Sequence, residues 1–545
     1  MTETVQDYET LEQEITESRL RWSPAAATSL GRHEWDEELG ERSPEAMEAR
    51  SRAVADQIRR LEGIDADALP EPYRTRHPIH VKKLRFELSE EEDFEASRHS
   101  PGAPLGVAGF ACNGLMIRDF APAAARLKLL SSRLRRVPEL LQQHRLLYQS
   151  STPIQVDTAL QQAAGIIALF ERDLPAFARE AGDSAGHAAF NQVLAGALEA
   201  TRSYASWLEN EVRPNANAPI AWGPERMERL VRWQECVDLD LDEIVRRGEA
   251  DLRAQQARLK VVAAQIDPAA SIQDVVSAVG KDHPAAAELL PFTETTLEQL
   301  RQFCIDRGLI DMPTEVRIGL KETPQFSRAT TLAACSTPGK YETVATEAYY
   351  YVTPPDPSWD AQRTDQYLQF FSRWALPLIT AHEAYPGHYV HLSWLRLVED
   401  SVPYTNSTTT VEGWAHYTEQ LMIESGWGGG DLRYEIAQIR EALLRLCRYL
   451  AAFGLHVQGW SYDKAVDFFM REGYATRPVA ELESRRGVVS PSYFAYTLGK
   501  HEILELRERL KQKWGSEFNL KRFHNAFAQE PYPTAVIAAK MEQEH

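Results

Sequence analysis

The sequence contains no apolar run approaching the ~20 residues that cross a bilayer. Its opening stretch, MTETVQDYETLEQEITESRL, lacks the basic region and apolar core of a signal peptide. Cysteine is scarce: Cys112, Cys236, Cys304, Cys335 and Cys447 are far apart, with no C-x-x-C. That excludes a closely spaced thiolate metal site and reads as a set of reduced thiols. These absences predict a cytoplasmic protein with no membrane partner. Basic residues are also in deficit, with 60 Lys and Arg against 79 Asp and Glu, a formal charge of -19. A chain this acidic lacks the basic footprint that nucleic-acid binding requires, and its charge serves solubility instead. Internal repeats, low-complexity tracts and long linkers are missing too.

What remains is the balance of an ordinary globular protein, 43% hydrophobic and 26% charged over 545 residues, ample for a large core. Residues 1–70 read as helix, broken at Ser23-Pro24 and Ser43-Pro44. Residues 71–120, richer in Pro, Gly and aromatics, read as loop with room for short strands. From 121 to 265 the pattern is amphipathic helix. Leu127, Leu130, Leu134, Val137 and Leu141 recur three and four apart as a core stripe, and Pro153 marks a break. Asp267-Pro268 and His283-Pro284 punctuate two short helices over 266–300. Strand is expected within 313–355, at the alternating Val316-Arg317-Ile318 and at Tyr349-Tyr350-Tyr351-Val352-Thr353. A helix is expected from Trp359 into the next motif, and nearly continuous helix from 410 to Pro531. The expected fold is mainly α, a single body over 1–545 with a small β-sheet near its middle. A helical half (1–310) would precede a half (311–545) holding a metal site.

That site is suggested by His382-Glu383-Ala384-Tyr385-Pro386-Gly387-His388, at the end of the apolar run WALPLITA. In the common zinc-hydrolase pattern H-E-x-x-H, two histidines four apart share a helix face and the glutamate activates water. Here the second histidine is six positions on, which in an ideal helix puts the two side chains ~240° apart. Pro386-Gly387 intervenes. Proline breaks the hydrogen-bond ladder and glycine tolerates a deformed backbone. A widened or bulged turn there would return His388 to the face of His382. The third ligand must come from elsewhere. In VEGWAHYTEQL, Glu412, His416 and Glu419 lie within ~60° of one another on a helix, with Trp414 and Leu421 opposite. Glu412 is assigned as third ligand, His416 is its rival, and Glu419 is an outer partner orienting a histidine. The bland alternative is a helix end at Pro-Gly followed by a solvated acidic face.

HEAYPGH (382–388) and EGWAHYTE (412–419) together resemble the hallmarks H-E-x-x-P-G-H and E-G-W-A-x-Y-x-E of the zincin-like bacterial family catalogued as domain of unknown function 885. RYLAAFGLHVQGWSYDKA (448–465), YTLGK (496–500) and LRERL (506–510) extend the resemblance, and AARLKLLSSRLRRVPELLQQHRLL and WLENEVRP agree less specifically. The resemblance implies a large helical zincin-like fold and a metallopeptidase-like site. It implies His382, His388 and Glu412 as metal ligands and Glu383 as general base. Tyr496 and His456, with Arg448 beside them, would donate toward the substrate. His416, Ala452 and Ser492 depart from the family pattern and weaken transfer of a substrate class. Tyr496 and His456 also fit a plain role as packed helix residues.

The leading expectation is hydrolysis of an amide or peptide bond in a short peptide or amino-acid conjugate. One zinc ion per chain is expected, although two imidazoles and a carboxylate also suit other divalent metals. Carboxypeptidase- or dipeptidase-like action would need a cation for the substrate carboxylate, for which Arg448, Arg485, Arg486 and Lys500 are candidates. A metal-dependent hydrolase or lyase of a small specialised metabolite is the second expectation, and a non-catalytic ligand-binding protein the third.

Overall fold

In the computed structural model, residues 3–181, 184–324, 328 and 331–543 are described. The fold is mainly α with one small three-stranded sheet. The chain divides into two compact units. The first comprises Met1–Ile220, Pro324–Thr330 and Pro338–Thr346, and the second Ala221–Thr323, Thr331–Thr337 and Glu347–His545. Among the described residues no helix is long and apolar enough to cross a membrane.

In the first unit the helices begin where the sequence punctuates. Pro24–Leu30 and Pro44–Glu62 each start on a proline, whose missing N–H and preset φ suit a first turn. The Ser43 side chain caps Ala46 N, and Thr152 with Gln155 forms a capping box before Pro153–Ala168. The predicted stripe from Leu127 to Leu141 lies on Ala123–Leu147 and is buried throughout. The loop expected over 71–120 is instead largely helix, Tyr73–Glu92 and Ala103–Ile117. Its punctuating residues mislead for a physical reason. Pro104 occupies a first turn, and Leu105, Ala108, Ala111, Cys112 and Leu115 form a buried stripe of mostly small side chains.

The second unit holds the sheet, β1 (Gly319–Glu322), β2 (Ala333–Ser336) and β3 (Tyr349–Val352), in the order β1-β3-β2. β3 is central, parallel to β1 and antiparallel to β2, with Cys335 opposite Tyr350. This explains why the richest run of β-formers is Tyr349–Val352: those residues alone pair on both sides. The alternating Val316-Arg317-Ile318 lies just ahead of β1, which begins at Gly319. The single helix expected from Trp359 is broken into Ala361–Leu368, a 3-10 turn Gln369–Phe371, and Leu376–Glu383. Ser372 leaves the helical region at ψ 155°, its hydroxyl accepts from Ala375 N, and Pro377 starts the next helix. From Thr408 onward helices follow closely, as expected.

Candidate metal centre

The Leu376–Glu383 helix stops inside the motif. Ala384 abandons helical geometry at φ -121°, ψ -84°, and a new helix, His388–Leu397, starts after Gly387. The turn between them is tight: Ala384 N donates to Thr380 O and Gly387 N to Ala381 O, at 2.8 and 2.9 Å. The expected bulge within one helix is thus a helix end, a reversal and a fresh helix start. The outcome for the histidines is the predicted one. The rings of His382 and His388 are 4.8 Å apart and nearly perpendicular. Gly387 is required by proximity, since a Cβ there would stand 1.9 Å from His382 O.

Glu412 comes from the Thr408–Glu424 helix, capped by Ser407. One ligand atom from each of His382, His388 and Glu412 lies within 4.8 Å of the others. Glu412 Oε2 is 3.6 Å from His382 Nε2 and 3.4 Å from His388 Nε2, close without a well-formed hydrogen bond, and that oxygen is buried. Burial pushes the Glu412 carboxyl up, but the neighbouring imidazoles, His388 foremost, hold it well below the usual carboxylate range. His382 Nδ1 donates to Glu419 Oε1 at 2.8 Å, which aims Nε2 at the cluster. Burial disfavours the His382 charge, yet Glu412 and Glu419 outweigh it and raise its pKa to about 9. Two imidazoles and a carboxylate, converging and largely buried, are a donor set that fits zinc.

The second motif holds the first in place. Trp414 Nε1 donates to Pro386 O at 3.0 Å, pinning the turn, and the indole stacks on Phe527. Gly413 packs against the Ala495–Trp514 helix so closely that a Cβ would meet Gly499 backbone at 2.5 Å. Tyr417 O–H donates to His524 Nε2 at 2.8 Å, and His524 Nδ1 donates to Leu309 O at 2.6 Å. Glu419 is only 1% exposed and also takes Arg445 Nη2 at 2.8 Å. Arg445, which the sequence reading did not single out, fixes that carboxylate; its only sequence signal was the Glu441 four residues earlier, which it also pairs.

The remaining expected residues separate into two groups. Glu383 directly follows His382 in the chain, and Tyr496 lies beside the His382 ring. Glu383 Oε2 accepts the Cys335 N–H of β2 at 2.8 Å. The Tyr496 ring lies 6.4 Å from that of His382, stacked, and its hydroxyl makes no hydrogen bond among the described residues. Burial and the Glu412 charge raise its pKa. The others are not brought to the trio. His416 is buried beside Glu419, its Nδ1 3.4 Å from Oε2, and burial with the Lys500 charge pushes it down to about 3. Lys500 is 2% exposed, and burial lowers its pKa against the opposing charges of Asp251 and Glu419. His456 donates Nε2–H to Gly487 O at 2.9 Å, so that proton is committed to the backbone. Arg448 is clamped by Glu483 through bonds of 2.7 and 2.9 Å, and Tyr493 O–H donates to the same carboxylate at 2.6 Å. Arg485 lies against the Tyr462 hydroxyl, and Arg486 is half exposed. Glu483 was missed because nothing in the sequence pairs it with Arg448, 35 positions earlier, and Tyr493 joins the pair only through Glu483.

A family described as "Bacterial protein of unknown function (DUF885)" matches residues 24–541. No curated protein matches the chain. Two solved structures share the fold. One, described as "a putative lipoprotein of unknown function from Shewanella oneidensis", is 22% identical, with TM-score 0.82, covering 99% of this chain and 100% of that one. The other, "the putative lipoprotein from Colwellia psychrerythraea", is 16% identical, with TM-score 0.85 and 99% of each chain covered. The cytoplasmic placement expected from the sequence is not retained, because both proteins of this fold are described as lipoproteins. That expectation rested on patterns the sequence does not display, and a missing pattern carries no positive sign of a compartment.

Proposed function

This chain belongs to the DUF885 family of bacterial proteins, and we propose that it is a metal-dependent hydrolase of amide bonds in short peptides or amino-acid conjugates. The observation carrying this reading is the convergence of His382, His388 and Glu412, with His382 oriented by a buried carboxylate. Those three residues would hold a divalent ion, zinc foremost. Such an ion supplies a Lewis acid and makes water a nucleophile near neutral pH. Glu383 would serve as general base, taking a proton from the attacking water and passing it to the leaving amine. Its Oε2 is held by Cys335 N–H, so the carboxylate has a set direction and its other oxygen is left for proton transfer. Tyr496 offers an uncommitted hydroxyl beside Glu412 and His382 for charge developing on the substrate carbonyl. His456 takes no part, because its Nε2–H is bound to Gly487 O.

The test is metal content by mass spectrometry of the purified protein beside His382→Ala and Glu412→Ala, followed by an amide-substrate screen. About one zinc per chain, lost in both variants, is the expected result. Glu383→Gln should keep the metal and lose turnover. A protein that takes up no metal when zinc is offered overturns the proposal.

A further inference from the structure

We propose that His416 is a positioning residue of the metal centre: it holds the Glu419 carboxylate and, through it, the ring of His382. The inference rests on the metal-centre reading above and gives a role to a buried histidine which that reading leaves idle. His416 is not a fourth ligand, because among the described residues only His382, His388 and Glu412 converge as a donor cluster. Its place is one step further out. His416 and Glu419 lie one turn apart on the Thr408–Glu424 helix, each 1% exposed, with their side chains on a shared face. Glu419 Oε1 takes two donors, His382 Nδ1 at 2.8 Å and Arg445 Nη2 at 2.8 Å. Its other oxygen, Oε2, faces His416 Nδ1 at 3.4 Å. Both atoms are buried, and neither has another hydrogen-bonding partner among the described residues.

This arrangement bears on the direction of the carboxylate. The terminal torsion of a glutamate is broad and roughly two-fold, so contacts to Oε1 alone leave the plane of the group loosely fixed. A donor on Oε2 fixes it. His416 suits that task, since it rides on the same helix as Glu419 and its burial leaves the ring little freedom to lose. A buried carboxylate oxygen with no donor bears the full loss of its hydration, so the proton of the neutral imidazole is favoured on Nδ1. A small turn of the ring brings the pair into the ordinary N–H···O range of about 2.7–3.2 Å. An apolar side chain of the same size would fill the space and leave Oε2 without a donor. Glu419 in turn orients His382, whose Nε2 stands 3.6 Å from Glu412 Oε2. A group that steadies the partner of a ligating ring alters metal affinity without touching the ion.

The experiment measures zinc affinity of the full chain by competition with a fluorescent chelator, for the wild type and three variants. His416→Asn keeps an N–H donor at the place of Nδ1, His416→Gln moves it outward to the place of Nε2, and His416→Leu removes it. Affinity should fall about 10-fold in His416→Leu and His416→Gln, the low end for an outer partner, and less than about 3-fold in His416→Asn. Equal losses in all three make His416 a packing residue, and an unchanged affinity in His416→Leu removes it from the metal centre. Either result refutes the inference, while zinc bound by the wild type keeps the metal centre standing. A second measurement does not depend on the affinity of any variant. Long-range nitrogen–proton correlations of the zinc-loaded wild type, assigned by the signals absent from His416→Asn, report the tautomer of His416. A proton on Nδ1 is expected, and a proton on Nε2 alone overturns the inference. A wild type that takes up no zinc overturns the metal-centre reading, and this inference with it.

Discussion

Replacing Gly387 with alanine tests how the two histidines are brought together. A Cβ at this position would stand 1.9 Å from His382 O and 2.3 Å from Ala381 O, whereas such contacts essentially never fall below 3.0 Å. The turn must therefore open by more than 1 Å. It cannot do so freely, because Trp414 Nε1 holds Pro386 O and Gly387 N is bonded to Ala381 O. Movement away from the Leu376–Glu383 helix carries His388 with it, since His388 is the next residue and opens the following helix. Metal–ligand distances tolerate only about 0.2 Å, so a displacement of this size removes one ligand, and zinc affinity should fall by at least about 100-fold. The overpacking itself should cost about 1–3 kcal/mol of stability. Competition with a fluorescent chelator measures the first quantity and thermal unfolding the second. Gly106→Ala is the control: nothing lies within 4 Å of a Cβ there, so neither quantity should worsen. A Gly387→Ala protein that binds zinc like the wild type would show that the turn does not set the distance between His382 and His388, and the reasoning would fail.

Glu419→Gln leaves His382 Nδ1 without its carboxylate acceptor, and zinc affinity should drop roughly 10–100-fold by chelator competition; an unchanged affinity would mean that Glu419 serves only packing. Tyr496→Phe should keep the metal and lower kcat roughly 100-fold or more at unchanged KM on the first amide substrate found, as for loss of an oxyanion donor. An equal effect on KM alone would make the hydroxyl a ground-state contact. For Glu483, burial pushes the carboxyl up but Arg448 pulls it down to about 2, below its value in the unfolded chain. The ionised Glu483 therefore stabilises the fold fully above the unfolded value, near pH 4.5, and that contribution is lost as pH falls toward 2. Thermal unfolding across this window should show a shallower acid decline in Glu483→Gln, and an identical slope would remove the Arg448–Glu483 clamp from the stability account.

Much of the molecule could be read from local chemistry. The helix stripe from Leu127 to Leu141, the capping Ser43 and Thr152, and the β-forming run at Tyr349 follow from periodicity and side-chain shape, which act within a few residues. The choice of His382, His388, Glu412 and Glu383 followed from the residue types that metal hydrolysis requires; the first three meet in space, and the Glu383 carboxylate is held by Cys335 N–H. The same local rules misread 71–120, where small residues that permit a turn instead permit close helix packing. The spacing of the two histidines was ambiguous in principle. Six residues in an ideal helix put them on different faces, and only the turn at Ala384–Gly387, clamped by Trp414, 28 positions after Pro386, makes them neighbours. The four candidate cations were equivalent as letters. Arg448 is bound to Glu483, Lys500 is buried and Arg486 is left open by contacts between distant segments. Residue type and periodicity are properties of a short stretch of chain, so the sequence alone determined which groups could do the chemistry; which of them are free to do it depends on partners far along the chain, and only the tertiary structure decided that.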